Sequence, residues 1–175
     1  MKRSVIIGLG LAIAMQVVVV AGMLGNAALP LWLGKEIRVK TVPRDPRSLF
    51  RGNYARLDYE IGRLHKDELK AGVSFRSGEV VYVSLQKDEN GIYGYKAVSS
   101  ERPDEGVFLR GRVERHYNDL EIEYGIEAFF APKEKALKLE RDLSKGGVAI
   151  LMVMDNGRVA LKDVVAPSQY KKTKL

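Results

Sequence analysis

"VAILMVMDNGRVALKDVV", Val148 to Val165, is the stretch whose reading decides the fold. Two runs rich in aliphatic and β-branched residues flank Asn156-Gly157, a pair suited to the two positive φ angles of a tight type I′ turn. Such a segment reads as a β-hairpin. The same grammar recurs in "VVYVSLQKDENGIYGYKAVSS", Val80 to Ser100, with Asn90-Gly91 at its tip. A third copy, "VFLRGRVERHYNDLEIEYGIEAFF", Val107 to Phe130, can turn at Asn118-Asp119.

Working outward, alternation over Glu36–Val42 predicts a strand. It is ended by "PRDPRS", whose two prolines are excluded from a sheet interior. Asn53–Ile61 predicts another strand, with Asn53, Ala55, Leu57, Tyr59 and Ile61 on the core side. "RLHKDELKAG" suits a short helix ended by Gly72, and "APKEKALKLERDLSK" a longer one, with Pro132 near its start and Gly146 just past its end. The expected class is therefore mainly β, with α+β as its variant. It is an antiparallel domain of about eight strands built from hairpins with one or two short helices, either a barrel or a sheet carrying a helix.

The N-terminus obeys different rules. From Ser4 to Gly34 there is no Asp, Glu, Lys or Arg. Lys2 and Arg3 precede an apolar run of roughly 20 residues, enough to cross about 30 Å of hydrocarbon as a helix. Residues 1–27 are expected to form a membrane anchor and 28–175 the β-rich domain. A cleaved signal peptide is the rival reading, with Gly25 and Ala27 as small residues before the cut, although its apolar core is ordinarily shorter. Charge near the start should keep Lys2 and Arg3 cytoplasmic and send the domain across the cytoplasmic membrane as a single-pass protein. Gly10, Ala14, Ala21 and Gly25 fall on one stripe of that helix, and Gln16 could hydrogen-bond across a helix pair, so a second membrane protein is an expected partner.

The formal charge is +7 and there are no cysteines, which removes disulfide frameworks and thiolate metal sites. Basic residues gather after the apolar run: Lys35, Arg38, Lys40, Arg44, Arg47, Arg51 and Arg56. Beside a membrane segment such a cluster favours anionic lipid, or an acidic partner surface, over nucleic acid. The alternative is a set of ordinary exposed arginines around a proline loop.

Catalytic chemistry has thin support. The only histidines, His65 and His116, lack paired metal-ligand spacing, and no phosphate-binding glycine loop stands at a strand–helix junction. No metal or cofactor is expected. Glu121, Glu123 and Glu127 share a face with Arg110, Arg112, Glu114 and His116. A two-residue loop would set His116 opposite Glu121, Glu114 opposite Glu123, Arg112 opposite Gly125 and Arg110 opposite Glu127. This reads more simply as a solvated face of cross-strand ion pairs than as a carboxylate centre. Leu109, Val113, Ile122, Tyr124, Ile126 and Ala128 should form the core face.

Gly52, Asn53, Tyr54, Leu57 and Tyr59 give "GNYARLDY" the spacing Gly-x-Tyr-x-x-Leu-x-Tyr. With the flanking "VPRDPRSLFR" and the later "YGIEAFFAPKEKALKLE", the chain resembles the bacterial GDYXXLXY-domain family. The resemblance implies a membrane-anchored, extracytoplasmic protein, often encoded beside multi-pass membrane proteins, in a family defined by its motif and not by an activity. Asn53 departs from the family's Asp. An amide keeps an acceptor oxygen but cannot act as a carboxylate base, so a loop-capping role fits that position. The leading expectation is a non-enzymatic accessory or binding subunit.

The competing enzyme reading is a Ser/Lys membrane peptidase, because "PRDPRSLFRGNY" resembles the serine loop of signal peptidases. Ser48, however, is followed by Leu49-Phe50-Arg51-Gly52-Asn53 without their Met-x-Pro and Gly-Asp spacing. None of Lys96, Lys145 and Lys162 stands out as a base. A third reading is an anionic lipid or envelope-polymer binding domain.

Overall fold

A computed structural model describes residues 3–42, 54–65, 75–115, 119–130 and 146–165. Gly52, Asn53, Arg44, Arg47, Arg51, Ser48, Lys145, His116 and the expected helix over 131–145 lie outside the described residues.

Helix α1 runs Arg3–Leu33, and its stretch Val5–Leu33 is long and apolar enough to cross a membrane. None of its apolar window is buried against the rest of the chain. After Gly34 the chain enters β1 (Lys35–Val42), where Ile37, Val39 and Thr41 point inward and Glu36, Arg38 and Lys40 outward. The following short strands are β2 (Tyr54–Arg56), β3 (Asp58–Tyr59) and β4 (Arg63–His65). Longer ones come next: β5 (Val80–Lys87), β6 (Tyr93–Ser99), β7 (Val107–Arg115) and β8 (Asp119–Glu123). The last are β9 (Ala128–Phe130), β10 (Gly147–Val153) and β11 (Val159–Val165).

The main sheet runs β11-β10-β1-β6-β5-β7-β8-β4, with β3 also paired to β1, while β2 and β9 form a separate ribbon. The mainly β class is as expected, but the sheet is mixed. β1 and β6 meet in parallel at Val39–Tyr93, and every other pairing is antiparallel. That parallel contact joins the β10–β1 half to the β5–β6–β7 half, two parts remote in sequence. Ile37, Val39, Val81, Val83, Leu109 and Leu151, all essentially without exposure, line one continuous core across both halves.

The hairpins form where expected, with different turns. Type I′ would need Asn at positive φ, yet only Gly91 and Gly157 are left-handed, at 81° and 79°. Gly91 N–H donates to the Asp88 carbonyl, and Asp88 N–H to the Ile92 carbonyl. The second turn repeats this with Met154, Gly157 and Arg158. These are three-residue loops closed by a left-handed glycine. Side chains select them: the Asp88 carboxylate accepts from Asn90 and Ile92 N–H at 2.8 Å each, and the Asn156 side-chain oxygen accepts from Arg158 N–H at 3.1 Å.

Four other expectations need correction. The middle hairpin is shifted by two residues, so Arg112 stands opposite Glu123 and Glu114 opposite Glu121. An even shift keeps every side chain on its face, and Leu109, Val113, Ile122, Tyr124 and Ile126 are buried as predicted. Ala128 is not: it is exposed, in β9, paired to Arg56 of β2. The single strand over Asn53–Ile61 is broken, because β3 pairs with β1 while β4 pairs with β8. Changing partners takes a corner, supplied by a 3-10 turn at Glu60–Gly62. Arg63–His65, expected as the start of a helix, is instead edge strand β4, since pairing with β8 outweighs local helix propensity.

Candidate functional site

The motif stretch is a structural seam. Leu57, Tyr59 and Ile61 are each no more than 3% exposed. Facing them is the irregular segment Tyr124–Glu127, and the two segments exchange bonds in both directions. The Tyr59 hydroxyl donates to the Ile126 carbonyl at 2.7 Å, and the Tyr124 hydroxyl donates to the Ile61 carbonyl at 2.6 Å. Leu57 N–H donates to the Glu127 carbonyl at 2.7 Å, and the Glu127 carboxylate accepts from Tyr124 N–H at 2.7 Å. Each tyrosine thus closes the backbone of the other's segment where no strand ladder does so. Burial, reinforced by the Glu127 charge, pushes both phenols up, so they remain donors throughout the neutral range. Tyr54 and Arg56 sit in β2, paired to Phe130 and Ala128.

A cleft beside this seam is lined by Leu57, Asp58, Tyr59, Arg63, Glu121, Glu123 and Glu127, and its volume is about 30 Å³. That accommodates a water or two and no substrate. Its acids have local roles or neighbours: Asp58 lies 3.6 Å from Arg63, Glu127 caps Tyr124, and Glu121 stands between Arg63 on β4 and Glu114 on β7 in register. Among the described residues, no three His, Asp or Glu side chains are grouped to hold a metal ion.

The basic residues after the helix divide. Lys35 is exposed. Arg38 lies 3.7 Å from Glu36, whose other oxygen accepts from Lys162 at 2.8 Å; that bond holds the Glu36 carboxyl below its ordinary range. Lys40 lies 3.8 Å from Glu60. Lys96 and Lys162 are exposed as well, and Ser48 lies outside the described residues.

Sequence reading overlooked the junction between helix and domain. Pro30 lies inside α1 and has no N–H, so the carbonyl of Asn26, four residues earlier, loses its helical partner. Arg158, from the β10–β11 turn, replaces it. Its guanidinium donates to the Asn26 carbonyl at 2.7 Å and to the Asn26 side-chain oxygen at 2.8 Å. At the helix end, Gly34 N–H donates to the Pro30 carbonyl at 2.9 Å, and a Cβ on Gly34 would come within 2.9 Å of the Met152 and Val153 backbone. The helix therefore rests directly on β10. A proline four residues after an asparagine was the available signal. Along the stripe, Gly10, Ala14, Gln16 and Ala21 are exposed and Gly25 is half-buried.

Tyr59→Phe should cost about 1–3 kcal/mol, because it strands a buried carbonyl while preserving shape. Tyr124→Phe should cost a similar amount. Thermal or denaturant unfolding of the detergent-solubilised protein measures both, and stabilities equal to wild type would remove the seam from the account.

Residues 16–164 match the family described as GDYXXLXY protein, from the middle of α1 to the last strand of the sheet. No curated protein and no solved structure matches the chain. The matched span contains the seam, the motif positions Gly52, Tyr54, Leu57 and Tyr59, and the Asn26–Arg158 junction. The chain belongs to the GDYXXLXY protein family.

Proposed function

We propose that the protein is a membrane-anchored, non-enzymatic accessory or binding subunit, its β-domain held at the outer face of the cytoplasmic membrane beside a multi-pass membrane protein. One observation carries this reading. An apolar helix whose most apolar stretch is left uncovered by its own chain is joined to the domain through a specific two-bond contact at Asn26, not through a slack linker. A mere tether needs no such contact. A subunit that must present one surface at a set height and angle does. The uncovered stripe at Gly10, Ala14 and Ala21 offers the close backbone approach that helix association in lipid uses, while Gln16, on the opposite face, is a separate hydrogen-bonding group.

Purification in mild detergent should recover a multi-pass membrane protein with the intact chain. Replacing Gly10, Ala14 and Ala21 by Leu should remove it while leaving the β-domain folded. Recovery of the protein alone across several mild detergents would contradict the reading. The chain lacks cysteine, so a single cysteine placed at exposed Asp104 reports the side of the membrane. It should react with a membrane-impermeant maleimide in cells whose cytoplasmic membrane is intact, and labelling only after that membrane is permeabilised would place the domain inside.

A further inference from the structure

The β10–β11 turn lies against the helix at Asn26, while the end of β10 that leads into this turn, Met152–Val153, meets the helix terminus at Gly34. The hairpin therefore points back down α1 toward the membrane. Asn26 lies 21 residues beyond Val5, a rise of about 32 Å, close to the ~30 Å thickness of the hydrocarbon. With Val5 set at one boundary of the hydrocarbon, the turn stands at the depth of the lipid phosphates at the other.

That level of the domain is rich in arginine. Gly157 accepts from Arg110 N–H at 2.8 Å, which docks the turn on β7. A groove of about 390 Å³ opens there, lined by Arg110, Arg112, Arg158, Glu123, Tyr124 and Val159. Arg102 stands on the other side of the turn, donating to the Asp155 carbonyl at 3.1 Å, with its guanidinium 5.9 Å from the Phe108 ring centre. Arg112 donates to the Gly78 carbonyl at 2.8 Å and Arg158 to Asn26. These bonds go to neutral oxygens. Among the described residues the ion pairs within 4 Å are made by Arg38, Lys40, Arg63 and Lys162, and by none of these four arginines. Among the described residues Glu123 is the one carboxylate on the groove wall, against three guanidiniums.

We infer that the groove formed by Arg110, Arg112 and Arg158 binds the phosphate of an anionic phospholipid headgroup. Forked guanidiniums match phosphate oxygens in geometry as well as charge. The Tyr124 and Val159 walls can receive the apolar part of the headgroup region. The inference rests on α1 spanning the membrane and not on any protein partner, so failure to recover a partner leaves it standing.

The test uses the full chain, delipidated in a neutral detergent and titrated with short-chain phosphatidylglycerol or phosphatidylcholine, bound lipid being counted by native mass spectrometry. Phosphatidylglycerol should bind more tightly than phosphatidylcholine. Arg110→Gln, which removes no side-chain bond among the described residues, should weaken it about fivefold, and Arg110→Gln/Arg112→Gln should weaken it further. Arg110→Lys should recover part of the loss. Excess inorganic phosphate should fail to displace the lipid. Unchanged affinity in folded Arg110→Gln would overturn the inference, as would equal binding of the two lipids. Displacement by inorganic phosphate would assign the groove to free phosphate instead of lipid.

Discussion

The architecture depends on one vacated carbonyl. Pro30 removes the N–H that would close the helix at Asn26, and Arg158 supplies the missing donor from the opposite end of the chain. A proline inside a helix costs about 3 kcal/mol, and a hydrogen bond from a charged donor contributes about 1.5–3 kcal/mol, so the two are of comparable size. Transmembrane helices tolerate proline where neighbouring groups satisfy the freed carbonyl. Here that neighbour is the β-rich domain. The helix is thereby complete only when the domain is seated, and the domain's position against the helix is set by a residue of the helix itself.

The seating in turn organises the sheet. The turn that delivers Arg158 is pinned to β7 by the Arg110–Gly157 bond. At that glycine a Cβ would lie 2.9 Å from the Phe108 ring. Strand β10 pairs with β1, the strand that leaves the membrane helix, along seven residue pairs. The family motif does its work on the other side of the core, where β3 leaves β1 and the chain crosses to β8. Strand pairing lapses at that corner, and the Tyr59 and Tyr124 hydroxyls restore the backbone bonding.

Local signals carried much of this into the sequence. Asn-Gly pairs between aliphatic runs located two hairpins, and period-two burial identified Leu109, Val113, Ile122 and Tyr124 as core. The turn type escaped because it is chosen by the Asp88 and Asn156 side chains, whose bonds compete with the type I′ geometry. The register of β7 and β8 escaped for a related reason: loop length sets register, and an even shift leaves the hydrophobic pattern unchanged. The parallel β1–β6 contact, the corner at Glu60–Gly62 and the Arg158 junction are all long-range. No window of the chain records them. Attention to basic residues near the membrane fell on those close in sequence to the helix, from Lys35 to Arg56. Arg158 comes to the helix, and Arg102 and Arg110 to the turn that carries it, through the fold alone.

The most direct test of the junction is a distance distribution between helix and domain. Spin labels at Met23→Cys and Glu105→Cys, in a chain otherwise free of cysteine, can be measured by double electron–electron resonance in lipid nanodiscs. The clasp predicts one narrow distribution for the wild-type background and a broad or multimodal one when Arg158→Gln is added. A distribution that stays narrow and unshifted in Arg158→Gln would contradict the claim that Arg158 seats the domain on the membrane helix.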